Sequence, residues 1–287
     1  MHQIRAKGIL SPENGMNVYR GCTHGCIYCD SRSRCYHIDH DFEDIGVKIN
    51  APELLEAKLR GKREKCMIGT GAMCDPYMHA EEKLRLTRTC LELIRRYGFG
   101  AAVQTKSARV LRDLDVLRDI NSATKAVVQM TLTTFDEKLC RILEPNVSTT
   151  RERFEALKVF RDEGIPAIVW LTPLLPFIND TEENVLGILE MCREAKVKGI
   201  IAFGMGLTLR EGSREYFYAA LDKHFPGMKQ RYADTYGLSY ELPTPNAESL
   251  MRLFRDFCTE NGILYTDEAC FRYLHEFPKQ YEQLSRF

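Results

Sequence analysis

The chain has 287 residues, of which 44% are hydrophobic and 28% are charged. This composition is ordinary for a globular protein in water, and no stretch is apolar for long enough to cross a bilayer. Lys plus Arg and Asp plus Glu number 40 each, whereas proteins that grip nucleic acid usually carry a basic excess. The amino terminus, "MHQIRAKGIL", lacks the apolar region of a signal peptide, so we expect a cytoplasmic protein.

Short apolar segments alternate with longer amphipathic segments up to about residue 210. The predicted strands are "GMNVYRG", "KCMIGTG", "GAAVQTKS", "KAVVQMTLTT", "IPAIVWLTPLLP" and "GIIAFGMGL". The predicted helices between them are "PELLEAKLRGKRE", "EEKLRLTRTCLELIRRYG", "ARVLRDLDVLRDI", "STTRERFEALKVFRDEG" and "TEENVLGILEMCREA". This alternation predicts an α/β protein whose parallel sheet forms a partial (β/α)6 TIM-like barrel over residues 15–210.

The last third of the chain has a different pattern. Residues 211–287 are helical and rich in aromatic residues, as in "SREYFYAALDKHF" and "AESLMRLFRDFCTENG". No flexible linker precedes them. We therefore predict a single domain over residues 1–287, with a C-terminal helical extension packed on the barrel and roofing its open side.

Three cysteines stand close together in "GCTHGCIYCD", at Cys22, Cys26 and Cys29. Three thiolates on one loop can hold one metal centre. A structural zinc ion would need a fourth ligand, and no second Cys pair or His pair supplies one. An iron–sulfur cubane normally takes four cysteines, so three would leave one iron open to another ligand. Zinc and an electron-carrying cluster remain the alternatives.

The spacing C-x-x-x-C-x-aromatic-C after a first barrel strand resembles the signature of the radical S-adenosylmethionine (SAM) superfamily. Over residues 8–285 the chain is similar to the branch related to spore photoproduct lyase. Within that branch it resembles the queuine lyase group. The stretches that carry the similarity are "NVYRGCTHGCIYCDSRS", "GTGAMCDPY", "TKSARVLRDLDVL", "TTFDEKLCRILEPNVSTTRERFEAL" and "PLLPFIND".

The resemblance implies a 4Fe-4S cluster held by Cys22, Cys26 and Cys29, with SAM (S-adenosyl-L-methionine) on the open iron. An electron from the reduced cluster would cleave SAM into methionine and a 5′-deoxyadenosyl radical, which abstracts hydrogen from the substrate. Tyr28 would lie against the adenine of SAM. The resemblance also implies an electron donor such as flavodoxin or ferredoxin.

Residues at the ends of the second and third predicted strands are candidate SAM contacts. Thr70, Gly71 and Cys74 lie in "GTGAMCDPY", where family members contact the methionine amino group, and glycine allows close backbone approach. Lys106 in "QTKS" matches a lysine that reaches the SAM carboxylate in proteins similar to spore photoproduct lyase.

Further candidates follow the fourth and fifth predicted strands. Thr131 and Thr133 in "QMTLTT" are proposed contacts of the SAM ribose or carboxylate, although threonine is also a common strand residue. Leu174 and Leu175 in "LTPLLPFIND" could place backbone around the adenine, or this segment could be a proline-stiffened loop.

Three residues are candidate substrate contacts: Asp75, Arg210 and Tyr216. An aspartate before proline also commonly shapes a turn, whereas the guanidinium of Arg210 suits an anionic or planar group. "CYHIDHDFED", with His37 and His40, could be a second metal site, but a solvated acidic loop is the preferred interpretation.

The predicted reaction is radical cleavage of a small polar substrate, in other words a lyase. Queuine, salvaged to a deazaguanine precursor such as preQ1, is the specific hypothesis within this class. DNA photolesion repair ranks second, because Ala72 stands where spore photoproduct lyase has its hydrogen-donor cysteine if the aspartates correspond. The third alternative is an iron–sulfur electron carrier. The sequence does not identify the substrate, the electron donor, the oligomeric state or the hydrogen-abstraction site.

Overall fold

The fold is built around a parallel sheet, and the computed structural model describes residues 1–278. The strands, in chain order, are β1 (His2–Ile4), β2 (Gly15–Met16), β3 (Tyr19–Arg20), β4 (Gly46–Lys48), β5 (Met67–Thr70), β6 (Gly100–Thr105), β7 (Ala126–Thr131), β8 (Ala167–Trp170), β9 (Gly199–Ile201), β10 (Gly206–Thr208) and β11 (Glu241–Pro243). The main sheet has six strands in the order β2-β5-β6-β7-β8-β9, each parallel to its neighbours.

Helices connect the strands of the main sheet and continue beyond it. They are α1 (Ala51–Gly61), α2 (Glu81–Leu84), α3 (Leu86–Arg96), α4 (Leu114–Ala123), α5 (Glu137–Leu143), α6 (Thr150–Asp162), α7 (Glu182–Glu194), α8 (Ser213–His224), α9 (Met228–Tyr236), α10 (Ala247–Glu260) and α11 (Asp267–His275). The predicted α/β class and partial barrel are confirmed. Within the described residues, no helix is both long and apolar enough to cross a membrane.

The helix predicted from "EEKLRLTRTCLELIRRYG" is two helices, α2 and α3. Arg85 between them adopts a left-handed conformation with φ 49°. The buried Glu81 carboxylate accepts hydrogen bonds from the backbone amides of Leu86 and Thr87, 3.1 and 3.0 Å long. Glu81 thus caps α3 from outside it, and this local capping interrupts the continuous helical pattern of the sequence.

The first and last predicted barrel strands are also each interrupted. "GMNVYRG" contributes β2 to the main sheet, but β3 pairs with β4 in a separate sheet of order β1-β4-β3. "GIIAFGMGL" divides into β9 and β10, because Phe203 and Met205 have φ values of 50° and 52°. Left-handed residues cannot continue a strand, so the chain turns away there.

The interior of the barrel is closed on one side by α11. Cys270 and Leu274 of this helix form a hydrophobic cluster with one residue from each of five sheet strands: Met67, Ala102, Val127, Ile168 and Ile201. Side chains alternate between the two faces of a strand, so Gln104 and Thr131 lie on the same inner face, nearer the carboxyl ends. The helix therefore forms a floor below these polar residues.

The chain from β10 onward, which includes the start of the C-terminal extension, packs around the cysteine loop, defined as residues 22–29. β10 and β11 pair antiparallel. Leu207 and Leu242 of this ribbon, with Phe217 of α8, share a second hydrophobic cluster with Cys26 and Tyr28. The last nine residues of the predicted extension, 279–287, lie outside the described part of the chain.

Candidate functional site

A cavity of about 610 Å³ lies at the carboxyl ends of the parallel strands. This is the end of a β/α barrel where ligands bind. Its walls come from the cysteine loop, the loops after β5, β8 and β9, the ends of β6 and β7, and the β10–β11 ribbon. The sequence-predicted site residues in its lining are Cys22, Cys26, Tyr28, Cys29, Gly71, Cys74, Asp75, Lys106 and Thr131.

All three predicted cluster ligands reach this cavity. Cys22 and Cys26 are buried and Cys29 is half-buried. Burial, with a smaller effect of the Asp75 carboxylate, raises the pKa of the Cys22 thiol to about 12. Burial also raises the pKa of Cys26 well above its ordinary value, although the nearby Lys106 ammonium opposes this. Metal binding must therefore displace protons from these thiols.

The chemistry of the three cysteines that line the cavity suits an iron–sulfur cubane. A single zinc ion would need its thiolates within about 4 Å of one another. Within residues 1–278, no three His, Cys, Asp or Glu side chains are close enough to hold one ion, and this includes the loop of His37 and His40. A cubane does not require such convergence, since each thiolate binds a different iron.

Asp75 is the centre of a buried hydrogen-bond clamp. Its carboxylate accepts hydrogen bonds from the Thr105 hydroxyl at 2.7 Å and from the amides of Lys106 and Tyr77 at 2.6 and 2.8 Å. Nδ1 of His24 lies 3.5 Å from the same carboxylate. Asp75 therefore ties the loop after β5 to the end of β6 and to the cysteine loop.

His24 was not singled out by the sequence. It is 2% exposed and lines the cavity. Burial lowers the pKa of its imidazole, an effect that the Asp75 carboxylate opposes. Its Nε2 has no hydrogen-bond partner among residues 1–278.

Lys106 and Thr131 meet on the inner face of the sheet. Lys106 Nζ donates a hydrogen bond of 3.3 Å to Thr131 Oγ1 and lies 5.7 Å from the centre of the Tyr28 ring. In the described part of the chain, no carboxylate lies within 4.0 Å of this ammonium group. The lysine can therefore offer its charge to a ligand in the cavity.

Gly71 is required by its backbone geometry. Its φ is +101°, and a Cβ atom at this position would overlap the carbonyl oxygen of Gln104. Cys74 lines the cavity, but its thiol donates to the carbonyl oxygen of Tyr19 at 3.2 Å. Thr70 ends β5 and is buried outside the cavity lining.

Thr133 and the two leucines are placed behind the cavity wall. Thr133 is fully buried, and its carbonyl oxygen accepts a hydrogen bond from Asn179 Nδ2 at 2.7 Å. Leu174 packs in the main hydrophobic core and Leu175 in the second cluster. None of the three belongs to the cavity lining.

Arg210 lies at the cavity rim and Tyr216 beyond it. The Arg210 guanidinium donates to the hydroxyls of Tyr240 and Tyr36, at 2.8 and 3.3 Å, and lies 3.8 Å from Asp30 Oδ1. Tyr240, Tyr36 and Asp30 line the cavity. Tyr216 instead packs against Arg32, whose guanidinium carbon lies 3.7 Å from the centre of the tyrosine ring.

Tyr28 connects the cysteine loop to a buried ion pair that sequence reasoning missed. Its hydroxyl donates to Glu144, whose carboxylate pairs with Arg153. Both charged side chains are completely buried. Both residues lie in the stretch "LEPNVSTTRERF". A carboxylate and an arginine nine residues apart do not by themselves indicate a contact.

Comparison with known families gives a match to the Radical SAM superfamily over residues 16–189. An uncharacterized protein of Mycobacterium tuberculosis is 29% identical over 243 residues, which cover 82% of this chain and 70% of that protein. An uncharacterized protein of Methanocaldococcus jannaschii is 31% identical over 189 residues, or 63% of this chain and 70% of that protein.

Solved structures give the same fold. A spore photoproduct lyase variant with bound AdoMet and dinucleoside spore photoproduct superimposes with a TM-score of 0.67, at 14% identity, over 92% of this chain and 80% of that one. Streptococcus suis SuiB bound to precursor peptide SuiA gives a TM-score of 0.50, at 13% identity, over 88% of this chain and 48% of that one.

Proposed function

Because the chain belongs to the Radical SAM superfamily, whose members use a 4Fe-4S cluster and SAM, we propose that it is a radical lyase acting on a small polar substrate. When bound, the cluster and SAM supply a 5′-deoxyadenosyl radical that removes hydrogen from the substrate. Cys22, Cys26 and Cys29 would hold the cluster. We further propose that residues 1–287 form one domain.

The observation that carries this proposal is that the three thiols share one cavity with Lys106 and Thr131. Lys106 would neutralise the SAM carboxylate as a point charge, and Thr131 would hold the lysine in place. Gly71 leaves space for backbone contact. The walls around these groups would keep water from a reactive radical.

The charges around the cavity favour a small substrate over DNA. Asp30 and Glu241 contribute carboxylates to the lining, together with the rings of Tyr36 and Tyr240. Arg210, at the rim, already faces Asp30. Phosphate binding needs unpaired cations, whereas carboxylates beside aromatic rings suit a planar molecule with an amine. Queuine has both features and is our specific proposal.

The second candidate is a DNA photolesion lyase, and the shared fold with a lesion-bound spore photoproduct lyase is the observation in its favour. Against it, Ala72 lines the cavity, and it stands in place of the hydrogen-donor cysteine of spore photoproduct lyase if the aspartates of the two proteins correspond. The third candidate, an electron carrier, would have no use for a cavity of this size beside its cluster.

A substrate panel separates these candidates. The anaerobically reconstituted protein would be incubated with dithionite, SAM and either queuine or a dinucleoside photoproduct, and the products analysed by mass spectrometry. A new deazaguanine supports the proposal, and repaired dinucleotide supports the second candidate. If neither queuine nor the dinucleoside photoproduct is converted, both substrate assignments are rejected.

A further inference from the structure

The cysteine loop makes few hydrogen bonds of its own. Within it, the Cys29 amide donates to the Cys26 carbonyl at 3.2 Å. At its start, the Cys22 amide donates to the carbonyl of Phe42 at 2.9 Å. A loop with so few internal bonds takes its shape from its neighbours.

The neighbour that follows the loop along its length is the segment 143–146, which joins α5 to the region before α6. The Ile27 amide donates to the Leu143 carbonyl at 3.0 Å, and the Asn146 amide donates to the His24 carbonyl at 3.1 Å. The Asn146 side chain donates to the Thr23 carbonyl at 3.0 Å.

Two further contacts complete this interface. Gly25 has φ +70° and packs against Pro145, whose Cγ would lie 3.2 Å from a Cβ atom on the glycine. The Tyr28 hydroxyl donates to Glu144. Residues 23 to 28 are thus held by the four residues 143–146 through backbone bonds, side-chain bonds and packing.

The same segment is anchored to the sheet. Arg153 of α6 pairs with Glu144 and also donates to the Thr131 carbonyl at the end of β7, at 2.7 Å. Burial alone would raise the pKa of Glu144, but the Arg153 guanidinium and the Lys106 ammonium lower it overall. The carboxylate is therefore ionised, and the pair links the cysteine loop to the strand whose Thr131 hydroxyl holds Lys106.

We propose that segment 143–146 positions the cysteine loop, and that the buried Glu144–Arg153 pair sets the position of the cluster relative to Lys106 and Thr131. Glu144, Asn146 and Arg153 are positioning residues, since none of them lines the cavity. The proposal rests on the family assignment and is independent of the identity of the substrate.

Two single variants weaken this support without changing a cysteine. Tyr28→Phe removes the bond to Glu144 and keeps the aromatic ring. Asn146→Ala removes the bond to Thr23, and Asn146 is exposed, so this variant will fold. Each full-length protein would be reconstituted anaerobically and its iron loss to excess EDTA followed. We expect loss roughly tenfold faster than in the unaltered protein, the lower limit for residues that support metal ligands.

A double variant separates positioning from stability. Glu144→Leu with Arg153→Met replaces both buried charges by apolar groups, so no unpaired charge remains and folding is expected. Its reduced cluster should show a smaller change in its electron paramagnetic resonance spectrum when SAM is added. Phe160→Leu, in the buried core of α6, is the control for general destabilisation.

The proposal is overturned if Tyr28→Phe and Asn146→Ala both lose iron at the unaltered rate. It is also overturned if Phe160→Leu loses iron as fast as they do, since the effect would then come from stability alone. An unaltered SAM response in the double variant would refute the role of the ion pair.

Discussion

The backbone amide of Lys106 donates a 2.6 Å hydrogen bond to Asp75 Oδ2, so the residue expected to bind SAM is held by a residue expected to bind substrate. We predict that Asp75→Asn lowers the free energy of unfolding by about 1–3 kcal/mol, because an amide cannot accept the bonds that two carboxylate oxygens accept. Urea unfolding of the protein without cofactors measures this effect.

Asp119→Asn is the matched control, since within the described residues Asp119 forms only an exposed ion pair with Arg95. This substitution should cost less than about 1 kcal/mol. Unchanged stability in Asp75→Asn, combined with an increased KM for the substrate, would show that Asp75 acts on the substrate and not on the fold.

Gly71→Ala is predicted to destabilise the protein more than Gly98→Ala does. Both glycines have positive φ, +101° and +67°, so both substitutions impose backbone strain of about 1 kcal/mol or more. Only at Gly71 would the new methyl group also overlap a carbonyl oxygen. Thermal unfolding of the two variants compares them, and equal losses of stability would contradict the predicted overlap.

Lys106→Met should weaken SAM binding roughly tenfold or more, because a hydrogen bond to a charged group contributes about 1.5–3 kcal/mol. Isothermal titration of the reconstituted protein with SAM measures the dissociation constant. Lys83→Met, an exposed lysine on α2, should leave it unchanged. Equal affinities for SAM in the two variants would remove Lys106 from the cofactor site.

The stability of the metal-free protein should fall as the pH rises above about 9. The Cys22 pKa is about 12 in the folded protein, owing chiefly to burial, against an ordinary value of 9.0. The unfolded chain therefore loses the Cys22 proton first, and between these values the folded state is disfavoured. Urea unfolding at pH 8 and pH 10 measures the loss of stability between these pH values. This loss should be smaller in Cys22→Ser than in the unaltered protein, and an equal loss in the two proteins would contradict this assignment.

Much of the site could be predicted from local sequence. The loop of Cys22, Cys26 and Cys29 has fixed spacing, and the strand–helix alternation places Gly71, Lys106 and Thr131 at the carboxyl ends of three neighbouring strands. The stretch "QMTLTT" also makes Thr133, with Thr131, a candidate contact of SAM. Thr133 follows β7, which ends at Thr131, and it is buried outside the cavity lining, so its contact with SAM stays a prediction.

Other features depend on specific side-chain contacts. The break at Arg85 is accompanied by capping of α3 by Glu81, and the ion pair of Glu144 and Arg153 joins the segment after α5 to α6. The barrel floor formed by α11 requires the last described helix to meet the inner face of the sheet. No local pattern of charge or hydrophobicity encodes such contacts.

The central claim is that Cys22, Cys26 and Cys29 hold a cluster that cleaves SAM, and the most direct test is formation of 5′-deoxyadenosine by the reconstituted, dithionite-reduced protein. We predict that the unaltered protein and Cys66→Ala, altered at a thiol outside the cavity, form 5′-deoxyadenosine and show brown cluster absorbance. Cys26→Ala should show neither. Cluster absorbance or SAM cleavage that survives in Cys26→Ala would contradict the claim.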